Sequence, residues 1–160
     1  MTTSDRGTNR EFTVLRGDKP RTGPVWNLQD SRIEALITGQ QTQGTFAVFE
    51  QTSALGGGVP LHINHREDES FYLLGGRYLF EVGGILNELV PASHVFVPRG
   101  VPHRFRCVER GGMLIVCQPA GIESAFDELA SLAAPVAPEA FAAVCRKYGI
   151  EVLGPPLSAQ

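Results

Sequence analysis

Four residues with metal-binding side chains crowd into one short stretch of this chain. His62, His65 and Glu69 fall inside LHINHREDE, with Asn64 between the histidines, and a further histidine, His103, follows PRGVP. Only one other histidine, His94, exists in the 160 residues. Two imidazoles, one carboxylate and one further nitrogen or oxygen donor suit a divalent first-row metal: Fe, Ni, Mn, Co or Zn. Four protein donors on one side of such an ion would leave positions for substrate, O2 or water. The same histidines could instead be hydrogen-bonded residues of a barrel wall, and spacing alone leaves both roles open.

Positioning these groups requires strands. A strand alternates its side chains, so His62 and Asn64 share one face and His65 takes the other unless a bulge intervenes. Glu69 comes after a polar turn and opens the next strand. The two prolines and glycine of PRGVP would swing the following strand, and His103 with it, into place. From Glu11 to about Ala120 the chain is a series of short apolar segments separated by turn residues. They include RIEALIT (32–38), TFAVFEQT (45–52), SFYLL (70–74), RYLFEV (77–82), ILNELV (85–90), HVFVP (94–98), HRFRCV (103–108) and MLIVCQP (113–119). Their length and their β-branched and aromatic content predict strands, and their spacing predicts a sandwich or closed barrel. Gly75-Gly76 and Gly83-Gly84 both read as tight hairpin turns.

The pattern changes after Pro119. Ile122, Phe126, Leu129 and Leu132 share a helical face, and after Pro135 and Pro138 the period resumes with Phe141, Val144 and Tyr148. We therefore expect three parts: a loose tail (1–10), a β-barrel (11–120), and two short helices with an irregular Pro-rich tail (121–160) packed on the barrel. Strand parity places Phe71, Leu73, Phe105 and Cys107 beside the candidate ligands as a substrate pocket. Phe46, Phe80, Phe96, Met113 and Ile115 are further candidates of unfixed side. Such a lining suits a flat, partly apolar, oxygen-bearing molecule.

Composition limits the partners. Hydrophobic residues make up 42% and charged residues 19%, as in a globular protein, and the net charge of -3 is too mild for nucleic acid. No apolar run reaches the length of a membrane span, and the polar start carries no secretory signal. The three cysteines, Cys107, Cys117 and Cys145, are odd in number and widely spaced, which reads as free buried thiols in a reducing cytoplasm. An open N-terminal strand, such as 11–15 or 33–38, would need covering, and a homodimer would cover it.

Two segments resemble a known family, the cupins. The run Gly56-Gly57-Gly58-Val59-Pro60-Leu61-His62-Ile63-Asn64-His65-Arg66-Glu67-Asp68-Glu69, closed by Gly76, is similar to the first cupin motif, with Gly56, His62, Glu69 and Gly76 in register. Pro98-Arg99-Gly100-Val101-Pro102-His103 is similar to the second. The resemblance covers roughly residues 30–120 and implies an all-β fold, a double-stranded β-barrel or jelly roll with the two helices outside it. It also implies one divalent transition metal on His62, Glu69 and His103. The wording PLHINHREDESFYLLGG and the tail YGIEVLGPP are most similar to small bacterial quercetin 2,3-dioxygenase-like cupins. That likeness implies a dioxygenase using O2 on a flavonoid- or polyketide-like molecule, with Glu69 as ligand and proton acceptor. A redox-neutral cyclase, isomerase or lyase, or a non-catalytic binder, is equally at home on this fold.

Three positions depart from the family pattern. The second histidine of the first motif falls on Asn64, the glycine opening the second motif is Ala92, and the asparagine closing it is Cys107. Asn64 matters most, because a neutral carbonyl oxygen is a poorer ligand than imidazole. Either Asn64 lends that oxygen, or a bulge turns His65 inward in its place. The first is favoured, because a one-residue slip in a buried strand flips every later side chain.

Overall fold

The computed structural model describes residues 13–158, so the expected tail at 1–10 lies outside the described residues. Among the described residues, eleven strands form two antiparallel sheets, with two helices after the tenth strand. The strands are β1 (Val25–Leu28), β2 (Ser31–Ile37), β3 (Ala47–Ser53), β4 (Leu61–Asn64), β5 (Asp68–Leu73) and β6 (Arg77–Val82). They continue with β7 (Ile85–Leu89), β8 (His94–Val97), β9 (His103–Glu109), β10 (Gly111–Gln118) and, beyond the helices, β11 (Ile150–Gly154). One sheet runs β1-β2-β3-β10-β5-β8 and the other β11-β4-β9-β6-β7. The inner faces meet as a jelly-roll barrel whose core includes Phe49, Phe71, Phe80, Phe105, Met113 and Tyr78. Alternation along β3, β5, β9 and β10 drives this: every second residue is buried.

The two expected hairpins part company. Gly83 and Gly84, with φ of 58° and 82°, turn β6 into its partner β7. Gly75-Gly76 is not a hairpin turn: β5 and β6 lie in opposite sheets, and this segment crosses between them. A Cβ on Gly76 would sit 2.4 Å from the Glu109 carbonyl oxygen, so the crossing passes flush against the strand β9 end. The tail after the helices is not wholly irregular. Residues 150–154 pair with β4 through Ile150–Asn64, Glu151–Ile63 and Val152–His62, because the short β4 would otherwise leave a polar edge open. Nor is 33–38 an open edge: β2 is paired on both sides, to β1 and β3. Residues 13–15 form no strand, and 11 and 12 lie outside the described residues.

Helix α1 (Glu123–Ala130) docks on the first sheet. Its Phe126 meets Trp26 and Phe49 with ring centroids 5.4 Å from each, and the Trp26 indole N–H donates to Asp127 Oδ1 at 2.7 Å. Helix α2 (Pro138–Lys147) starts on proline, where a missing N–H costs nothing, and packs against β11. Its charges follow the helix dipole, Glu139 in the first turn and Arg146 and Lys147 in the last. No helix among the described residues is long and apolar enough to cross a membrane.

Candidate metal centre

His62 lies on β4 and His103 at the start of β9, directly paired across the second sheet, with ring centroids 4.2 Å apart. Glu69 reaches them from β5 of the opposite sheet. One ligand atom from each of the three lies within 4.8 Å of the others. The turn before His103 is fixed to the strand of Glu69 by Asp68. Its carboxylate accepts from the Arg99 backbone N–H at 2.9 Å and from the guanidinium at 3.0 and 3.1 Å. The Gly100 N–H donates to the Asn64 carbonyl at 2.8 Å, which fastens the same turn to β4. Three strands are thus held in register around one point.

Both imidazoles are oriented in the same way. Nδ1–H of His62 donates to the Pro60 carbonyl at 2.8 Å, and Nδ1–H of His103 donates to the Val101 carbonyl at 3.0 Å. A carbonyl can only accept, so each Nδ1 carries a proton and each Nε2 is the atom turned to the cluster. His103 Nε2–H donates to Glu69 Oε2 at 2.9 Å. Glu69 Oε1 has only the Cys117 thiol, at 3.6 Å.

The charges follow from these contacts. Burial and the neighbouring charge of His103 hold the His62 imidazole down at about 4. Burial opposes the His103 imidazolium too, but the hydrogen bond and charge of Glu69 outweigh it and raise its pKa. Burial alone would push the Glu69 carboxyl up, yet His103, His62 and the Cys117 thiol together hold it below the usual carboxylate range. These contacts favour a carboxylate on Glu69, a proton on both ring nitrogens of His103 and a neutral imidazole at His62.

Asn64 is 2% exposed, and neither its Oδ1 nor its Nδ2 has a hydrogen-bond partner. Buried carboxamides are rarely left so, which marks the side chain as one awaiting a partner. His65 points outward, and its Nε2 pairs with Glu151 Oε2 at 2.7 Å on the exposed side of β11.

These groups open on a mainly apolar cavity that offers about 100 Å³ to the centres of water-sized molecules. His62, Asn64, Glu69 and His103 stand in its wall together with Phe71, Phe105 and Ile115. Leu73 and Cys107, expected in that wall, are buried but do not line it. Each sits two residues beyond the last lining position of its strand, where Tyr78 and Met113 fill the barrel. Phe80 and Met113 are core, and Phe96 faces outward at 58% exposure. The helices and the N-cap of α1 supply Phe126, Leu129, Phe141, Cys145 and Ile122 to the cavity, a contribution the sequence pattern did not separate from plain helix packing. Three polar wall residues also escaped the sequence reading, the exposed Gln29 and the buried Ser31 and Gln51. Parity could have found Gln51, which occupies an inward position in the otherwise apolar AVFEQTS. Glu67, likewise missed, is buried outside the cavity wall, with its carboxyl pushed up to about 7 by burial and by the charge of Glu69.

Residues 49–118 match the family model of the cupin domain. These residues, under half of the chain, are similar to a cupin domain, and they carry His62, Glu69 and His103. Solved structures share the fold of this chain at low identity. An RmlC-like cupin from Shewanella frigidimarina is 17% identical over 71% of this chain and 96% of its own, with a TM-score of 0.60. KdgF from Halomonas sp. is 16% identical over 62% and 91%, with a TM-score of 0.56. Pac13, a nucleoside dehydratase of Streptomyces, is 15% identical over 63% and 79%, with a TM-score of 0.53. At these identities the likeness is one of fold. No curated protein matches the chain.

Proposed function

We propose that this chain is a mononuclear metal-dependent cupin enzyme, a dioxygenase acting on a small oxygenated aromatic or enol-type molecule. The observation that carries the reading is the paired fixing of His62 and His103 by the carbonyls of Pro60 and Val101, which turns both Nε2 atoms and Glu69 toward one point. Backbone acceptors on the far nitrogen are what orient metal-binding imidazoles. The donor set fits Fe, Ni, Mn, Co or Zn, and the orphaned carboxamide of Asn64 offers a fourth donor through Oδ1. When bound, such an ion supplies Lewis acidity and, if redox-active, electrons for O2.

The remaining work falls to the chain. Phe71 and Phe105 present apolar surface to a ring, and the helices exclude water above it. Glu69 Oε1, held only by a weak thiol donor, is the atom placed to take a proton from a substrate hydroxyl. With His62, Glu69 and His103 engaged as ligands, the cavity wall keeps no other carboxyl, imidazole or amine among the described residues. Cys145, also in the wall, is pushed up to about 11 by burial and stays a thiol. A wall so poor in acids and bases favours oxidation over multi-step proton transfer. The cavity volume favours a single-ring substrate over a three-ring flavonoid.

One observation favours the redox-neutral alternative. Without metal, neutral His62 and protonated His103 form a base and an acid side by side, the pairing that a dehydratase, cyclase or isomerase needs, and a structural neighbour is a dehydratase. The two readings separate in one experiment. Protein purified without chelator is assayed for bound metal, then for oxygen uptake with a panel of catechols and enols across Fe, Ni, Mn, Co and Zn. Bound metal with metal-dependent oxygen uptake supports the dioxygenase. Turnover that survives chelation and consumes no oxygen overturns it in favour of the alternative.

A further inference from the structure

The cavity has a second polar end. Gln51 of β3 is 3% exposed, and its Nε2 donates to Ser31 Oγ at 3.1 Å and to Ser53 Oγ at 3.3 Å. The two serine oxygens lie 3.3 Å apart, so one hydroxyl donates to the other. This triangle uses both carboxamide hydrogens and leaves Gln51 Oε1 with no donor among the described residues. Oε1 is not sealed away as the Asn64 atoms are, and Gln51 and Ser31 both stand in the cavity wall. A buried polar triangle in an apolar sheet is not a stability device, since apolar residues of the same shape would serve about as well.

Its distance from the histidine cluster can be read from the strand register. Glu69 pairs with Cys117 and Cys117 with Ala47, whereas Gln51 pairs with Met113 and Met113 with Leu73. Gln51 is thus four residues along β3 from the row of Glu69. That is ~13 Å along the strand, with two strand spacings of ~5 Å across. Both side chains lean inward, which leaves a gap of roughly 10 Å, bounded by Phe71, Ile115 and Ile33.

We propose that Gln51, held by Ser31 and Ser53, is the specificity-determining anchor for a hydroxyl group at the far end of the ligand. The ligand class is then a single ring with a short arm, carrying a polar oxygen at the His62–His103 end and a hydroxyl donor at the Gln51 end. This rests on the reading of the cavity as a substrate site, and it does not depend on the metal.

The test uses a matched pair, 4-(4-hydroxyphenyl)butan-2-one and 4-phenylbutan-2-one, which differ only in the hydroxyl. Binding is measured by calorimetry to the full chain, metal-free and zinc-loaded. Wild type should bind the hydroxylated compound about tenfold more tightly, the worth of one buried hydrogen bond. In Gln51→Leu the two compounds should bind about equally, with 4-phenylbutan-2-one no weaker than before. Ser31→Ala, which frees the carboxamide to turn, should give an intermediate ratio. Equal binding in wild type overturns the proposal, as does a ratio unchanged in Gln51→Leu or no binding of either compound at millimolar concentration. The wild-type ratio decides by itself if Gln51→Leu does not fold. Failure to retain zinc counts against the metal centre alone, because the metal-free titration still reads the anchor.

Discussion

Replacing Asn64 with leucine should move stability and metal affinity in opposite directions. Asn64 is buried at 2% exposure with both carboxamide atoms unpartnered, while its backbone carbonyl accepts from Gly100. The metal-free fold therefore carries the desolvation cost of an amide that makes no hydrogen bond, ~1–3 kcal/mol by mutational measures. Leucine has nearly the same shape, removes that cost and keeps the Gly100 contact. Metal-free Asn64→Leu should be more stable by that amount, about 3–10 °C in midpoint for a chain of this size. Loss of Oδ1 should weaken metal binding, whereas Asn64→His should strengthen it by supplying an imidazole at the same place. His65→Ala should change neither quantity much, because His65 reaches only Glu151 on the surface, a pair of the kind worth ~0–1 kcal/mol. Thermal unfolding after chelation and metal titration of the three variants decide the matter. A destabilised Asn64→Leu would refute the orphan argument. Unchanged metal affinity in Asn64→Leu and Asn64→His together would remove Asn64 from the ligand set.

Three further outcomes are expected. His103→Ala should abolish metal retention on desalting and lower stability by about 3 kcal/mol or more, since it strands Glu69 in the interior without its partner; elemental analysis and denaturant unfolding read both effects. Ala92→Gly should stabilise by ~0.5–1.5 kcal/mol, because Ala92 adopts φ of 70°, where a Cβ is strained and glycine is not; an unchanged unfolding midpoint would contradict this. We also propose that the chain is a homodimer paired through a sheet edge such as β8, beside which Phe96, Leu74 and Tyr72 stand exposed; light scattering at micromolar concentration should give twice the 17.3 kDa chain mass.

Much was legible in the residues, for reasons that are local. Strand and helix periods show in sequence because side-chain direction repeats every 2 or 3.6 residues whatever the fold. That is how RYLFEV is recognisable as β6, ILNELV as β7 and IESAFDELA as α1. The same parity separates His62 and Asn64, which stand in the cavity wall, from His65, which does not. The motif spacing singles out His62, Glu69 and His103, the three that the structure brings within 4.8 Å.

What the sequence left open depended on contacts between distant segments. Two adjacent strands joined by Gly-Gly look alike whether they pair or part, and only the sheet order makes Gly83-Gly84 a hairpin and Gly75-Gly76 a crossing. IEVLG carries no strong strand signal, and β11 exists because the edge of β4 is there to pair with it. How far the cavity extends likewise depends on what fills the barrel behind it. Tyr78 and Met113 close it before Leu73 and Cys107, while helices from the end of the chain roof it. The opposition of Glu69 to the two histidines, the carbonyls that fix their tautomers, and the Ser31–Gln51–Ser53 triangle are all products of register between strands far apart in sequence. Local propensity says which way a side chain points along its own strand. Only the packing of one sheet on the other decides what it meets there.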